Sequence, residues 1–316
     1  MGEEGNYMNI VFSTLNQTAF LFGLIVIGYI LVKIKFLPEN AAAVLSKLEN
    51  AVFIPALVMG TFIENFTTDR IKTYTSLLVV SGVIAIIAAP LAVLVSKLFT
   101  KDKYIRNIYT YGLSFSNFGF MGNAVVKSLF PDIFCEYLIF TLPLWILIYL
   151  WGVPRLLMAD AEKKQSFKDG LKSFVNPMFI CMIIGMLVGV LGIKLPVWLG
   201  SIIKVSGDCM SPVAMILTGI VVSGVSMKKT FTNIRIYGVS IVRLVVFPIV
   251  FIAIAHFMNL SHTAYVCALC SLAMPLGLNT IVIPSALGKD SSEAAGMAVI
   301  SHLLSCITIP LIFICL

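Results

Sequence analysis

Two apolar segments of this sequence are interrupted at mid-length by residue types that break a helix. Residues 111–124 read YGLSFSNFGFMGNA and contain three glycines, and residues 271–284 read SLAMPLGLNTIVIP, with a proline inside an apolar run. Proline cannot donate a backbone hydrogen bond and clashes with the preceding helical turn, and glycine weakens a helix. Both segments are therefore predicted to be broken helices, whose partly positive N-termini suit an anion.

The asparagines beside these breaks are the strongest candidates for binding a solute. An amide donates two hydrogen bonds to a carboxylate without adding charge, which suits a protein that must release what it binds. Close helix packing is the alternative explanation of glycine-rich segments, but paired interruptions in two segments favour a binding site. The predicted substrate-binding residues are Asn117, Gly122, Asn123, Pro275 and Asn279.

Ionisable residues inside apolar segments form a second group of candidates, because a buried charge in a membrane costs several kcal/mol. Glu49 and Asp208 each precede a proline, Pro55 and Pro212. They are predicted to form a helper or coupling site that carries a proton or balances Arg243, and a structural ion pair is the alternative.

Two further ionisable residues have weaker predictions. Lys47 belongs to the helper group but lies early in its segment, where a lysine extends to the membrane interface. His302 is interpreted as a hydrogen-bonded packing residue.

The composition excludes most soluble classes of protein. Of 316 residues, 59% are apolar and 12% charged, whereas a soluble domain has about 25% charged residues. The sequence contains no HExxH, Walker A or GxSxG motif, so no enzyme activity and no metal or other cofactor is predicted. The net charge of +7 is interpreted as basic cytoplasmic loops rather than as a nucleic-acid surface.

Ten apolar stretches of membrane-spanning length are present, and each is predicted to be an α-helix because a bilayer leaves the backbone no other partner. The predicted fold is an all-α membrane protein of ten transmembrane helices. The longest polar connection, residues 155–176, is predicted to be a cytoplasmic linker. The stretches are 14–34, 43–63, 74–97, 107–129, 133–154, 177–195, 198–226, 236–258, 263–287 and 293–315.

The distribution of lysine and arginine gives the orientation. With the N-terminus outside, the inner loops hold 15 of these residues and the outer loops four. Positive residues accumulate in cytoplasmic loops. Both termini are therefore predicted to lie outside.

Weak internal similarity divides the chain into two halves, residues 14–154 and 177–316. Three proline positions recur in order, with Pro38, Pro55 and Pro143 matched by residues 157 to 167 positions later. Five helices are an odd number, so the second half enters the membrane from the opposite side. Such an inverted repeat is typical of secondary transporters.

The two broken segments also carry a family resemblance that covers essentially the whole chain. The motifs NFGFMG at 117–122 and AMPLGLN at 273–279 resemble those of the auxin efflux carrier family in its compact microbial form, within the wider bile-acid, arsenite and riboflavin transporter fold. The family usually has a proline where this chain has Ala124. The fourth helix is therefore expected to be broken by its glycines alone or only bent.

The resemblance implies a scaffold domain of helices 1, 2, 6 and 7 and a transport domain of helices 3–5 and 8–10. It also implies that broken helices 4 and 9 cross beside the substrate carboxylate, that the transport domain moves as an elevator, and that the protein is a homodimer. Relatives of this kind are associated with malate, malonate and similar acids, and a bacterial plasma membrane is the expected location.

The sequence thus predicts a secondary carrier for small organic anions. Coupling to H+, coupling to Na+ and uniport all stay open, because buried acids are compatible with each. The alternative is a membrane sensor that uses a transporter fold only to bind an organic acid.

Overall fold

The computed structural model describes residues 3–38, 40–67, 71–158, 175–224, 227–286 and 289–316. Within these ranges the regular structure is helical, and the only β-type pairing is an isolated bridge between Ser116 and Leu276. The all-α prediction is confirmed.

Ten helical elements follow the ten predicted apolar stretches, and two of them, α4 and α9, are each divided by a non-helical segment. A further short helix, Met227–Thr232, precedes α8. The elements are α1 (Glu3–Lys33), α2 (Ala41–Asn65), α3 (Ile71–Phe99), α4a (Lys103–Ser114), α4b (118–129), α5 (Pro131–Leu157), α6 (Pro177–Val190), α7 (Val197–Ser223), α8 (Ile234–Ala255), α9a (His262–Ala273), α9b (Asn279–Ala286) and α10 (Ser292–Phe313).

Seven of these helices in the described chain are long and apolar enough to cross a membrane, namely α1, α2, α3, α5, α7, α8 and α10. Two shorter apolar helices are α6 and α9a. Large apolar side chains cover the outer faces, and Ile86 on α3 is 73% exposed. Such a surface aggregates in water and is what a bilayer requires.

Two boundaries differ from the predicted ones. Helix α1 begins at Glu3 rather than at residue 14, because apolarity marks the part that fits a bilayer while a helix continues through polar residues. Helix α5 continues to Leu157 and so includes Arg155, which had been assigned to the linker. A basic residue is stabilised near a helix C-terminus. Linker residues 159–174 lie outside the described part of the chain.

The helices pack in two groups, which are joined by contacts of α1 with α10 and with α4b. Helix α1 contacts α7 and helix α2 contacts both α6 and α7. Helix α3 contacts α4a and α5, while α8 contacts α10. The first group packs through glycines: a Cβ on Gly219 would meet the backbone oxygen of Ile25, and one on Gly185 would lie 2.8 Å from the oxygen of Met59.

Wide π-helical turns interrupt several helices. They include Glu49–Phe53 in α2, Phe118–Gly122 in α4b and Val242–Val246 in α8. Single π-turns of this kind are frequent at functional sites. Three of the residues predicted from the sequence, Glu49, Gly122 and Arg243, lie in them.

Candidate functional site: the crossing of two broken helices

The break in α4 lies just before the NFGFMG motif. Helix α4a ends at Ser114, and Phe115 is extended, with φ −126° and ψ 114°. The π-helical turn Phe118–Gly122 follows directly after Asn117. Ala124, the departure from the family pattern, lies within regular buried helix. Helix α4 is thus fully interrupted without a proline.

The break in α9 surrounds Pro275. Helix α9a ends at Ala273, and Met274 is extended, with φ −71° and ψ 148°. A proline disfavours helical geometry in the residue before it, which explains why the helix stops there. Helix α9b begins at Asn279.

The two breaks lie against each other and exchange hydrogen bonds. Ser116 and Leu276 form the antiparallel bridge, and the backbone N–H of Asn117 donates to the oxygen of Pro275 over 2.7 Å. The Ser116 hydroxyl donates to the oxygen of Ser271 at 2.7 Å. A membrane interior offers no water to non-helical backbone, so these partners are what allow the breaks to exist there.

Arg243 joins the C-terminal ends of α4a and α9a, the first halves of the two broken helices. Its Nη1 donates to the oxygen of Leu113 in the last turn of α4a at 3.0 Å, and its Nη2 donates to the oxygen of Ser271 near the end of α9a at 3.2 Å. A helix C-terminus carries about −0.5 charge. Two such ends offset one guanidinium, which explains how Arg243 is buried with 2% exposure.

The N-terminal ends of the second halves border a small cavity, here called the crossing cavity. It has a volume of about 20 Å3, close to one water molecule. Both helix starts, Phe118 to Phe120 and Gly277 to Asn279, line it. The Asn279 amide donates to the Tyr111 hydroxyl in the same wall over 3.1 Å. Two positive helix ends and two amides, those of Asn117 and Asn279, thus converge on one space.

His302 on α10 binds the Asn117 side chain. Its Nδ1 lies 2.7 Å from the oxygen of Ala298, and its Nε2 lies 3.1 Å from Asn117 Nδ2. A carbonyl oxygen only accepts hydrogen bonds, so Nδ1 carries the proton and Nε2 accepts from the Asn117 amide. The interpretation of His302 as a buried, hydrogen-bonded residue agrees with this geometry, but its partner belongs to the predicted binding site.

Asn123 lies in a different place from Asn117 and Asn279. It lines a separate cavity of about 20 Å3 between α4b, α2, α5 and α6, and Trp145 forms a wall of both this cavity and the crossing cavity. The neighbouring Gly122 is closely packed, because a Cβ there would meet the Tyr137 hydroxyl.

A larger opening, here called the vestibule, lies between α2, α7 and the end of α4b. It has a volume of about 210 Å3, and Glu64, Lys127, Lys204 and Asp208 line it. Lys127 on α4b and Asp208 on α7 form an ion pair of 2.7 Å. Asp208 therefore balances Lys127, and not Arg243.

Glu49 and Lys47 are not joined to the crossing by any described contact. Glu49 is fully buried in α2, and neither carboxylate oxygen has a hydrogen-bond partner among the described residues. Lys47 is exposed on the same helix, as a lysine reaching the interface is expected to be.

The structure thus brings together Asn117, Pro275, Asn279 and Arg243 at the crossing. It places Asn123 and Asp208 in separate cavities and leaves Glu49 and Lys47 elsewhere on α2. Sequence reasoning gave no role to Tyr111 and Trp145, which line the crossing cavity, or to Lys127, which lines the vestibule. Tyr111 opens the quoted segment 111–124, but nothing in its spacing indicates a bond to Asn279, 168 residues away.

Comparison with known proteins agrees with these motifs. No curated protein sequence matches the chain. The family described as membrane transport protein matches residues 13–313, which is nearly the whole chain. This multi-pass integral membrane protein therefore belongs to the membrane transport protein family, that of the auxin efflux carriers.

Proposed function

We propose that this protein is a secondary carrier for small organic anions, with mono- or dicarboxylates such as malonate and malate as the substrate class. One observation carries the proposal: the N-terminal ends of α4b and α9b border a single cavity that also contains Asn117 and Asn279. Positive helix ends and neutral amides bind a carboxylate, and neither holds it with the strength of a fixed cation.

The cavity is too small in this conformation for an organic acid, since about 20 Å3 accommodates one water molecule. A carrier must open its site to one side at a time. We propose that the group containing α3–α5 and α8–α10 moves against α1, α2, α6 and α7 as an elevator. The close packing of α1 on α7 and of α2 on α6 supports this division.

In the proposed topology, ten spans form two inverted five-helix repeats with both termini outside. The vestibule then opens to the outside, because it lies at the ends of α2 and α4b and the start of α7. Glu49 stays a proposed helper residue, because its buried carboxyl group has no described partner. A homodimer through the scaffold helices completes the proposal.

Counterflow in proteoliposomes tests this function. Purified protein is reconstituted with a panel of unlabelled carboxylates inside, and uptake of each labelled acid is measured. Saturable exchange of at least one acid is expected. Binding of an acid without any exchange would instead indicate a sensor. The absence of both binding and exchange would refute the site.

A matched pair of variants separates binding from structure. Asn279→Ala removes both the amide and its hydrogen bond to the Tyr111 hydroxyl, whereas Tyr111→Phe removes only that hydrogen bond. We expect Asn279→Ala to abolish exchange and Tyr111→Phe to retain most of it. Equal losses in the two variants would mean that Asn279 acts only through Tyr111.

A further inference from the structure

The hydrogen bond between His302 and Asn117 has a direction that depends on one proton. In the structure Nε2 of His302 holds a lone pair and the Asn117 amide donates to it, at 3.1 Å. Nδ1 cannot release its proton without losing the bond of 2.7 Å to the Ala298 oxygen. Nε2 is therefore the atom at which a further proton is gained or lost.

Protonation of Nε2 reverses this hydrogen bond. The imidazolium would place an N–H against the NH2 group of Asn117, and two donors repel each other. A half-turn of the amide about its last bond brings Oδ1 to the imidazolium and restores the bond. The opposite end of the amide, at present Oδ1, then becomes the NH2 group.

Asn117 lines the crossing cavity, and its Oδ1 has no hydrogen-bond partner in the described part of the chain. Since Nδ2 is turned to His302, Oδ1 is the end of the amide that is left to face the cavity. With His302 neutral, Asn117 offers the cavity an acceptor, which repels a carboxylate. With His302 protonated, it offers a donor, which binds one.

The groups around His302 favour the same linkage. Titratable side chains lie on several of the elements that pack against α10. Helix α4a carries Tyr109 and Tyr111, α8 carries Arg243, α9a carries Cys267 and Cys270, α1 carries Lys33 and α7 carries Lys204 and Asp208, while α10 itself carries Cys306 and Glu293, the latter bound by Tyr109 and Asn233. None of the described side chains that line the crossing cavity is a carboxylic acid, so a protonated His302 has no described anion at the cavity until the substrate supplies one.

We propose that His302 is the proton-binding site of a proton–carboxylate symporter, coupled to the anion through reversal of the Asn117 amide. The inference rests on the proposed carrier function and names its coupling ion. The proton binds the Nε2 lone pair on one side of the membrane and leaves from the same atom on the other. Linkage is reciprocal, so the anion must promote protonation as strongly as the proton promotes anion binding.

Gradient-driven uptake in proteoliposomes tests the coupling. The membrane potential is held at zero with K+ and valinomycin, a pH gradient is imposed with the acidic side outside, and labelled malonate, or the acid of the panel that exchanges fastest, is added. One proton per substrate allows up to about tenfold accumulation per pH unit. Exchange without accumulation would overturn the inference and leave the carrier function intact, whereas absence of exchange with every acid would overturn the carrier function itself.

Two variants locate the proton. His302→Gln keeps a hydrogen-bonding group that does not titrate, so we expect accumulation of the labelled acid to stop following the imposed pH gradient. Ser305→Ala is the matched control, because Ser305 is buried on the same helix and its hydroxyl donates to the His302 oxygen at 2.7 Å. Accumulation that survives in His302→Gln would overturn the proposal.

Nitrogen-15 NMR of histidine-labelled protein in lipid provides a test that needs no variant activity. The chain has three histidines, so the His302 signal has to be distinguished only from those of His256 and His262. We expect the neutral form with the proton on Nδ1 in the free protein and conversion to imidazolium when malonate is added at constant pH. A His302 signal that malonate leaves unchanged, in protein that exchanges malonate, would overturn the proposal.

Discussion

Replacement of Arg243 is the most direct test of how the crossing is held together. The guanidinium donates one hydrogen bond to each half of the crossing, at 3.0 and 3.2 Å. A hydrogen bond to a charged group contributes about 1.5–3 kcal/mol. Lysine keeps the charge but reaches only one of the two oxygens. Arg243→Lys is therefore expected to lower the free energy that holds the crossing together by about 1.5–3 kcal/mol. If the crossing forms the site, this is equivalent to about 10- to 150-fold in substrate affinity.

Arg243→Met is the more severe change. The Ser271 oxygen would keep the Ser116 hydroxyl as a donor, but the Leu113 oxygen would lose its described side-chain partner. A buried oxygen left without a partner costs about 1–3 kcal/mol, in addition to the two hydrogen bonds that are lost. We therefore expect the unfolding temperature in detergent to fall by several degrees and exchange to be lost.

Counterflow kinetics and thermal unfolding, measured on the same preparations, check both expectations. Arg235→Met is the control, because Arg235 is an exposed arginine at the start of the same helix. It should leave both quantities close to the wild type. An Arg243→Lys variant with wild-type kinetics and unfolding temperature would refute the reasoning, since one of two buried hydrogen bonds would then contribute nothing.

Three further predictions concern the surroundings of the crossing. Gly122→Ala places a methyl group against the buried hydroxyl of Tyr137. It should lower the free energy of unfolding by about 1–3 kcal/mol and abolish exchange. Gly23→Ala, with nothing within 4 Å of the new methyl, should be neutral in the same thermal and counterflow assays. Asp208→Asn breaks an ion pair whose side chains are 40% and 53% exposed, so its effect on the unfolding temperature should correspond to at most about 1 kcal/mol. The pair joins α4b to α7 across the proposed sliding surface, so the exchange rate should change. The double variant Lys127→Asp with Asp208→Lys should restore the exchange rate. Glu49→Gln removes a buried carboxyl group with no described partner, so the unfolding temperature should stay the same or rise, and a marked fall would contradict this reading of Glu49.

The positions of the helices could be predicted because apolar length is a direct requirement of the bilayer. The stretch 293–315 corresponds to Ser292–Phe313 and the stretch 236–258 to Ile234–Ala255. The break at Pro275 was also predictable, since a missing N–H acts locally. In α4 the break lies at Phe115 to Asn117, ahead of two of the three glycines, because hydrogen bonds from α9 hold the chain extended there.

The partners of the site residues could not be predicted, because they are set by packing between distant segments. Arg243 binds backbone oxygens, which every residue possesses, so no sequence pattern indicates them. Asn117 and His302 are 185 residues apart. Asn123 is separated from Asn117 by the π-helical turn Phe118–Gly122 and lines a different cavity, although the sequence grouped the two.

The single arginine at the crossing makes the two halves of the chain unequal. Two helix ends, one from each proposed repeat, share a cation that only the second repeat encodes, since residues 74–96 of α3 contain neither lysine nor arginine. Both helix ends therefore depend on one side chain of α8, and a change at position 243 reaches α4a and α9a at the same time.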